Sequence, residues 1–266
     1  MKRALITFAT LVFIPLFAFA SCVANTHSAS FTGGTGVDLN ISSTLGVDCT
    51  KSYSYSFWFK ITTNPGLSKN YYVMEQYITS HCMPAQFLYE EDGSGVITDL
   101  FRKCNNTTCA SVSYNTDYSG TGWHFAVMTS DTTHFTLYID GTQKGQTADI
   151  ADGNAGNSTN FIIGCNATGG TQCYNGLIDD VRAYSVALSS TNVSSLYSSP
   201  SSVNGSESNL LAGYNFDSSL TADVLGVNNL TTSGTPSQST DLPFTNSCPS
   251  TAAYIKIPDS LWMWFQ

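Results

Sequence analysis

The chain has 266 residues, 42% of them hydrophobic, so it can bury a core and is not intrinsically disordered. It carries 10 Lys and Arg against 19 Asp and Glu, a formal net charge of −9. An acidic chain that is poor in cations argues against binding to nucleic acid or to an anionic membrane.

The N-terminus predicts a signal peptide over residues 1–20. Lys2 and Arg3 precede an apolar run, which ends in the small residues Ala18 and Ala20 of a cleavage site. The run is shorter than the ~20 apolar residues that span a bilayer. We therefore expect a secreted, extracellular or cell-surface protein with no membrane span after cleavage. Two alternatives remain open, an uncleaved anchor and a lipoprotein attached through Cys22.

Alternation of period two predicts strands through most of the chain. In the clearest run, Tyr53, Tyr55, Phe57 and Phe59 share one face. Turn signals such as Asp140-Gly141 separate strands that recur every 8–12 residues, as in a sandwich. The predicted strands are residues 53–60, 71–76, 86–90, 96–102, 109–114, 123–129, 134–140, 160–164, 176–184 and 210–216.

One short helix interrupts this pattern. Ser189 or Ser190 can cap its N-terminus, Val193, Leu196 and Tyr197 share a face, and Pro200 ends it. The Ser-, Asn- and Gly-rich residues that follow, 199–208, are predicted to be a linker.

The cysteines predict disulfides, because all eight lie beyond the signal peptide of a chain expected to be exported. Sequence does not determine the pairing. Cys104–Cys109 and Cys165–Cys173 each bracket a loop-like segment, which leaves Cys49–Cys82 and Cys22–Cys248. A zinc site is disfavoured, because the chain has no Cys-x-x-Cys and its four histidines are scattered.

Eight Asn-x-Ser/Thr triplets make the chain a candidate glycoprotein. Some of them can arise by chance in a chain rich in Asn, Ser and Thr. The candidate acceptors are Asn40, Asn105, Asn106, Asn157, Asn166, Asn192, Asn204 and Asn229.

Several blocks of sequence, taken in order, resemble laminin-G-like domains of the concanavalin A-like lectin/glucanase superfamily. The resemblance covers about residues 28–198 and rests on residues 123–129, 137–141, 161–164, 174–182 and 187–197. It implies an all-β fold, a two-sheet antiparallel jelly-roll sandwich with one short helix. It also implies sugar or protein binding and, in some members, a bound Ca²⁺.

The domain organisation expected from this resemblance is a sandwich over residues 21–198, then the linker, then C-terminal strands over residues 209–266. Family members often carry a strand like Leu210–Asp217 at the start of the domain, whereas here it follows the helix. The C-terminal segment can close the same sandwich or pair with a neighbouring subunit. An apolar tail makes such assembly a candidate role for Tyr254, Ile255, Ile257, Leu261, Trp262, Trp264 and Phe265.

Catalysis is not expected. Glycoside hydrolysis needs two placed carboxyl groups, and the chain has four glutamates and no Glu-x-Asp-x-x-Glu run. Calcium is a possible cofactor, with Asp179 and Asp180 as candidate ligands, although neighbours on a strand face opposite ways. The candidate sugar-binding residues, which offer rings, amides and a carboxylate, are Asn115, Asp117, Tyr118, Tyr71 and Tyr72.

The sequence thus predicts a secreted, non-enzymatic binding or adhesion module for a glycan or an extracellular protein. Two alternatives remain. One is a structural subunit of a self-assembling homopolymer, filament or coat, and the other is a diverged glycoside hydrolase.

Overall fold

The fold is an all-β sandwich of two antiparallel sheets with one helix, as expected. A computed structural model describes residues 23–43, 45–47, 50–66, 69–77, 82–92, 94, 97–105, 108–150, 160–166, 170 and 172–245. The predicted signal peptide and the candidate assembly residues lie outside these ranges.

The first sheet, sheet A, has eight strands in the described part of the chain. Along the sheet, they are β10 (Thr142–Ala148), β9 (His134–Ile139), β8 (His124–Ser130), β3 (Tyr53–Ile61), β12 (Asn175–Tyr184), β1 (Ser28–Thr32) and β15 (Ser237–Ser239), while β13 (Leu210–Tyr214) also pairs with β12. Strand β12 therefore pairs with β3 along one edge and with β1 and then β13 along the other.

The second sheet, sheet B, has seven strands among the described residues. Their order is β14 (Thr231–Ser233), β2 (Asp38–Ile41), β11 (Asn160–Ile163), β4 (Lys69–Tyr77), β5 (Cys82–Glu91), β6 (Ile97–Asn105) and β7 (Cys109–Tyr114).

The core lies between the sheets and follows the period-two pattern. Tyr53, Tyr55, Phe57 and Phe59 of β3 all point into it, as predicted. The buried hydroxyl group of Tyr53 has an acceptor, since Tyr53 Oη donates to the carbonyl of Pro84 at 2.6 Å. Inward-facing rings of the two sheets meet, such as Phe57 with Phe87 at 5.4 Å between centroids.

A second apolar layer covers the outer face of sheet A. Trp58, Phe125 and Val127 face outward from β3 and β8, and they pack with Val193 of helix α1 (Ser190–Ser198). Ser189 caps this helix in a capping box with Asn192, which confirms the prediction.

The outer face of sheet B is polar. Cross-strand neighbours form a row from Asn40 on β2 through Ile162, Glu75 and Gln86 to Arg102 on β6. Residues directly opposite each other on antiparallel strands share a face, so this row lies on one surface.

The segment after the helix packs on the sandwich. Within residues 199–208, expected to be a linker, Val203 is buried and its N–H donates to Asp180 Oδ1 at 2.8 Å. Strands β13, β14 and β15 then pair with β12, β2 and β1 of the same chain. Residues 209–245 therefore contribute to both sheets, and residues 246–266 are outside the described residues.

Candidate functional site

The candidate site surrounds a loop between β11 and β12. The disulfide Cys165–Cys173 closes it, and Cys173 lies beside Tyr72 of β4 in a short parallel bridge. The loop also meets the β1–β2 turn, where Gly36 N–H donates to the carbonyl of Gly170 at 2.7 Å. A Cβ atom at Gly170, whose φ is +68°, would lie 2.8 Å from Gly36 Cα, so only glycine fits this crossing.

One side of this loop borders a polar cavity of about 280 Å³, which we call the Asp38 cavity. Strands β2 and β11 of sheet B supply much of its wall. Its lining residues are Gly36, Asp38, Asn40, Asn160, Ile162, Asn166 and Gly170. The cavity combines one carboxylate and three carboxamides with a single apolar side chain.

Hydrogen bonds fix the orientation of two of these carboxamides. Asn40 Nδ2 donates to Asp38 Oδ1 and to Ser233 Oγ, and its Oδ1 accepts from Thr231 Oγ1 at 3.0 Å. Asn166 Oδ1 accepts from the N–H of Gly170 at 3.2 Å. Groups held in this way lose little conformational entropy when a polar ligand binds.

The other side of the loop borders a second cavity of about 400 Å³, which we call the Lys69 cavity. It is lined by Gly33, Pro65, Lys69, Asn70, Tyr71, Gln172 and Cys173. The same loop thus forms one wall of each cavity, with Gly170 on one side and Gln172 on the other.

Of the five candidate sugar-binding residues, Tyr71 is the one among the described lining residues of these two cavities. Its Oη donates to the carbonyl of Asn64 at 3.3 Å, and its ring stands edge-on to Tyr174. Tyr72, the next residue, lies near Glu75 and Arg102, which face outward from sheet B. Burial raises the pKa of the Tyr72 hydroxyl group. Asn115 is exposed in the loop after β7.

Asp117 organises a loop. Tyr89 Oη donates to Asp117 Oδ1 at 2.6 Å, and the N–H of Ser119 donates to the same oxygen at 2.8 Å. Slight burial acts to raise the pKa of Asp117, but hydrogen bonds from Tyr89, Ser119 and Asn64 outweigh it and lower the pKa to about 2. The neighbouring Tyr118 is buried against Phe59. These two residues support the loop and do not join Tyr71 in the cavity wall.

Asp179 and Asp180 do not fit a calcium site. Asn25 Nδ2 donates to Asp179 Oδ2 at 2.9 Å, and Val203 N–H donates to Asp180 Oδ1 at 2.8 Å. The Arg182 guanidinium lies 3.5 Å from Asp180 Oδ2. Calcium requires six to eight oxygen ligands, whereas these carboxyl groups face N–H donors and a cation. In the described part of the chain, no group of three or more His, Cys, Asp or Glu side chains could hold a metal.

These two aspartates form a buried network instead. Strand β12 has a register shift between Asp179 and Arg182, where Asp180 has a φ of +53°. Burial raises the pKa of Asp180 to about 6, although Arg182 opposes the shift, and burial together with Asp180 also raises the pKa of Asp179. Arg182 also contacts Glu207 at 3.1 Å and so attaches residues 199–208 to sheet A.

The structure contains the disulfide Cys104–Cys109 at the β6–β7 turn as well as Cys165–Cys173. Cys22, Cys49 and Cys248 and the Cys82 side chain are outside the described structure.

The candidate glycan acceptors differ in surroundings. Asn192 and Asn229 are exposed, Asn105 and Asn204 are half-buried, and Asn106 and Asn157 lie outside the described residues. Asn40 and Asn166 were noted in the sequence only as glycan acceptors, but both line the Asp38 cavity.

Sequence reasoning did not single out Asp38 and Asn160 as site residues. The available signal was the alternation of core residues with outward polar residues on two short strands, as in Phe161 and Ile163 beside Asn160. That pattern marks a solvent-facing surface, but it does not show that β2 and β11 are neighbours.

Comparison with known proteins assigns the fold. Residues 31–194 match the sequence profile of the Laminin_G_3 family, described as concanavalin A-like lectin/glucanases superfamily. The chain belongs to this family. No curated protein matches the sequence significantly.

Solved structures share the fold at low sequence identity. A protein from Bacteroides ovatus, provisionally described as carbohydrate-binding, matches with a TM-score of 0.59 and 17% identity over 85% of this chain and 62% of its own. This chain therefore spans less than two thirds of that protein.

Two further structures match less closely. A heptameric pentraxin from Limulus polyphemus has a TM-score of 0.49 and 14% identity over 65% of this chain and 82% of its own. Domain 4 of an extracellular arabinanase from Geobacillus stearothermophilus, in complex with arabinotriose, has a TM-score of 0.48 and 18% identity over 64% and 76%.

Within the described residues, no helix combines the length and the apolar character that a membrane crossing requires.

Proposed function

We propose that this protein is a non-catalytic extracellular module that binds glycans in the Asp38 cavity. The observation that carries the proposal is the set of oriented amides and the carboxylate around Ile162. Membership of a lectin and glucanase superfamily supports it, as does the fold shared with the Bacteroides ovatus protein.

The chemistry of the cavity suits a neutral sugar. Sugar hydroxyl groups both donate and accept hydrogen bonds, and a carboxylate with carboxamides offers both partners in fixed directions. Ile162 supplies an apolar contact for a C–H face of the ring. No Lys or Arg is among the described residues that line this cavity, so nothing in its wall favours an anionic ligand.

The cavity walls also support a role without catalysis. Glycosidases place two carboxyl groups on either side of the bond that is cleaved. Asp38 is the single acidic residue among the described lining residues of the Asp38 cavity, and the described lining of the Lys69 cavity contains none. An extracellular location rests on the predicted signal peptide together with the two disulfides, which persist in oxidising compartments.

A glycan array probed with the full chain tests the proposal. We expect binding to neutral oligosaccharides, quantified for each hit by isothermal titration calorimetry. Asp38→Asn and Asn160→Ala should each weaken binding about tenfold, since each changes a polar group that lines the cavity. Asp38→Asn preserves the shape of the side chain and isolates its charge.

Matched variants outside the cavity are the controls. Asp92→Asn and Asn115→Ala change exposed polar residues in loops and should leave affinity unchanged. Thermal unfolding should show that all four variants are folded. An array without hits, or equal losses for cavity and control variants, would refute glycan binding at this site. Turnover of any bound oligosaccharide would refute the non-catalytic role.

A further inference from the structure

The Lys69 cavity differs in charge from its neighbour. It has one cationic lining residue and, among the described lining residues, no acidic one. The Asp38 cavity has the opposite arrangement. The two cavities flank one loop, so a ligand that reaches across the loop meets a carboxylate on one side and an ammonium group on the other.

Lys69 is available to a ligand. Lys60 pairs with Asp241, Lys103 pairs with Asp149, and Lys144 lies over the ring of Tyr114. Lys69 is exposed, and no carboxylate in the described part of the chain pairs with it, although Glu91 is its cross-strand neighbour.

One other polar group of the Lys69 cavity is oriented to donate. Gln172 Oε1 accepts from Asn166 Nδ2 at 3.3 Å, which leaves the Gln172 Nε2 group as a donor. Asn70 adds a second carboxamide. Three nitrogen groups around one cavity form a suitable environment for an anion, because hydrogen bonds from a cation to a carboxylate are the stronger kind.

The cavity wall also offers an apolar surface. Tyr71 is held by its hydrogen bond to the carbonyl of Asn64 and by its edge-on contact with Tyr174. A fixed ring next to directed donors matches a ligand that is part apolar ring and part anion.

From this arrangement we infer that the Lys69 cavity is a subsite for a sugar residue that carries a carboxylate. Lys69 pairs with the carboxylate, Asn70 and Gln172 donate hydrogen bonds, and Tyr71 contacts the ring. The ligand of the whole site is then a glycan with a neutral residue in the Asp38 cavity and an acidic residue in the Lys69 cavity. This inference rests on the proposed glycan binding and adds the chemical class of its ligand.

The test uses the full chain and paired probes. Oligosaccharides that contain a uronic acid are compared with the same oligosaccharides after reduction of each carboxyl group to a primary alcohol. Titration calorimetry should show that the wild type binds the acidic form about tenfold more tightly, the contribution of one charged hydrogen-bonded contact. The preference should decline with added salt.

Variants assign the preference to the cavity. Lys69→Gln should weaken binding of the acidic form about tenfold more than binding of the reduced form and so remove the preference, whereas Lys69→Arg should retain it. Lys144→Gln is the control: it removes a lysine from β10 of sheet A, whereas Lys69 lies on β4 of sheet B, and it should change neither affinity.

The outcomes separate this inference from the proposal on which it depends. Equal affinity of the wild type for both forms, or equal losses of both in Lys69→Gln, would overturn the acidic subsite while glycan binding stands. Absence of binding to either form would overturn both. Displacement of both forms alike by an acidic peptide such as oligoglutamate would assign the Lys69 cavity to a protein partner and overturn the sugar subsite.

Discussion

The outer faces of the two sheets have opposite characters. On sheet A, Trp58 packs against Phe125, against Tyr197 of the helix and against Phe244 of the C-terminal segment, with ring centroids 5.0–5.8 Å apart. On sheet B, the row through Glu75 and Gln86 is polar, and no helix packs on it within the described structure.

The difference shows that the outer faces of the two sheets have different roles. A strand buried on both faces must be apolar at successive positions, as in the central residues of β3 and β8. A strand that is apolar at every second position leaves a polar face for a ligand, and the Asp38 cavity lies on such a face. The face of sheet A therefore contributes to stability, and the face of sheet B is where we propose that a ligand binds.

The largest expected effect tests the outer face of sheet A, which the helix covers. Trp58→Ala should lower the free energy of unfolding by ~3–5 kcal/mol, since it removes a buried indole and leaves a cavity under the helix. Ile162→Ala, on the outer face of sheet B, should cost clearly less, because Ile162 packs mainly against Cys165 and Cys173 beside an existing cavity. Urea denaturation gives both values.

Equal losses for these two variants would contradict the division between the faces. If Trp58→Ala does not fold, Trp58→Phe provides a milder change whose loss should still exceed that of Ile162→Ala.

The next effect concerns Asp180, a buried carboxyl group on β12 of sheet A. The pKa of Asp180 is raised from 3.8 to about 6 by burial. Between these two pH values the folded protein binds a proton that the unfolded chain has released, so the free energy of unfolding falls as the pH rises. Asp180→Asn retains an acceptor for Val203 N–H but cannot titrate.

We therefore expect the stability of the wild type minus that of Asp180→Asn to decrease by up to ~3 kcal/mol from about pH 4 to about pH 6.5. Chemical denaturation at half-unit pH steps measures this difference. Parallel pH profiles for the two proteins would show that Asp180 titrates at its ordinary pKa.

The smallest effect concerns the helix that covers sheet A. Ser189→Ala removes the N-cap acceptor of Asn192 N–H and should lower the free energy of unfolding by about 1 kcal/mol. Ser189→Thr, which keeps the hydroxyl group, is the matched control. A loss as large as that of Trp58→Ala would mean that the cap contributes as much to stability as the aromatic layer, which would contradict this order of effects.

Much of the fold could be predicted because strand residues alternate locally. The central strands, the Asp140-Gly141 turn and the helix cap all follow from patterns within a few residues. Strand β10 was not expected, because Thr142–Ala148 is a largely exposed edge strand without an apolar alternation. Strands β14 and β15 have three residues each, which is too short for a periodic signal.

The candidate site could be predicted only in part. Tyr71 was identified from its residue type and lines the Lys69 cavity, whereas Asp117 and Tyr118, chosen on the same grounds, hold a loop together. The type of a side chain is visible in the sequence. Its role depends on which distant strand or loop lies beside it, and that information is non-local.

The main strands and the helix were predictable from the sequence, because they depend on nearby residues, and the family resemblance implied the sandwich. The spacing of the cysteines favoured the two short-range disulfides without determining them, and the structure contains both. The tertiary structure alone decided that Asp38 and Asn160, 122 positions apart, share one cavity, since β2 and β11 become neighbours only in sheet B. It also decided that Asp179 and Asp180 meet N–H donors from Asn25, which precedes β1, and from Val203, which follows the helix. Hydrogen bonding between strands far apart in sequence brings these groups together, and no local pattern encodes it.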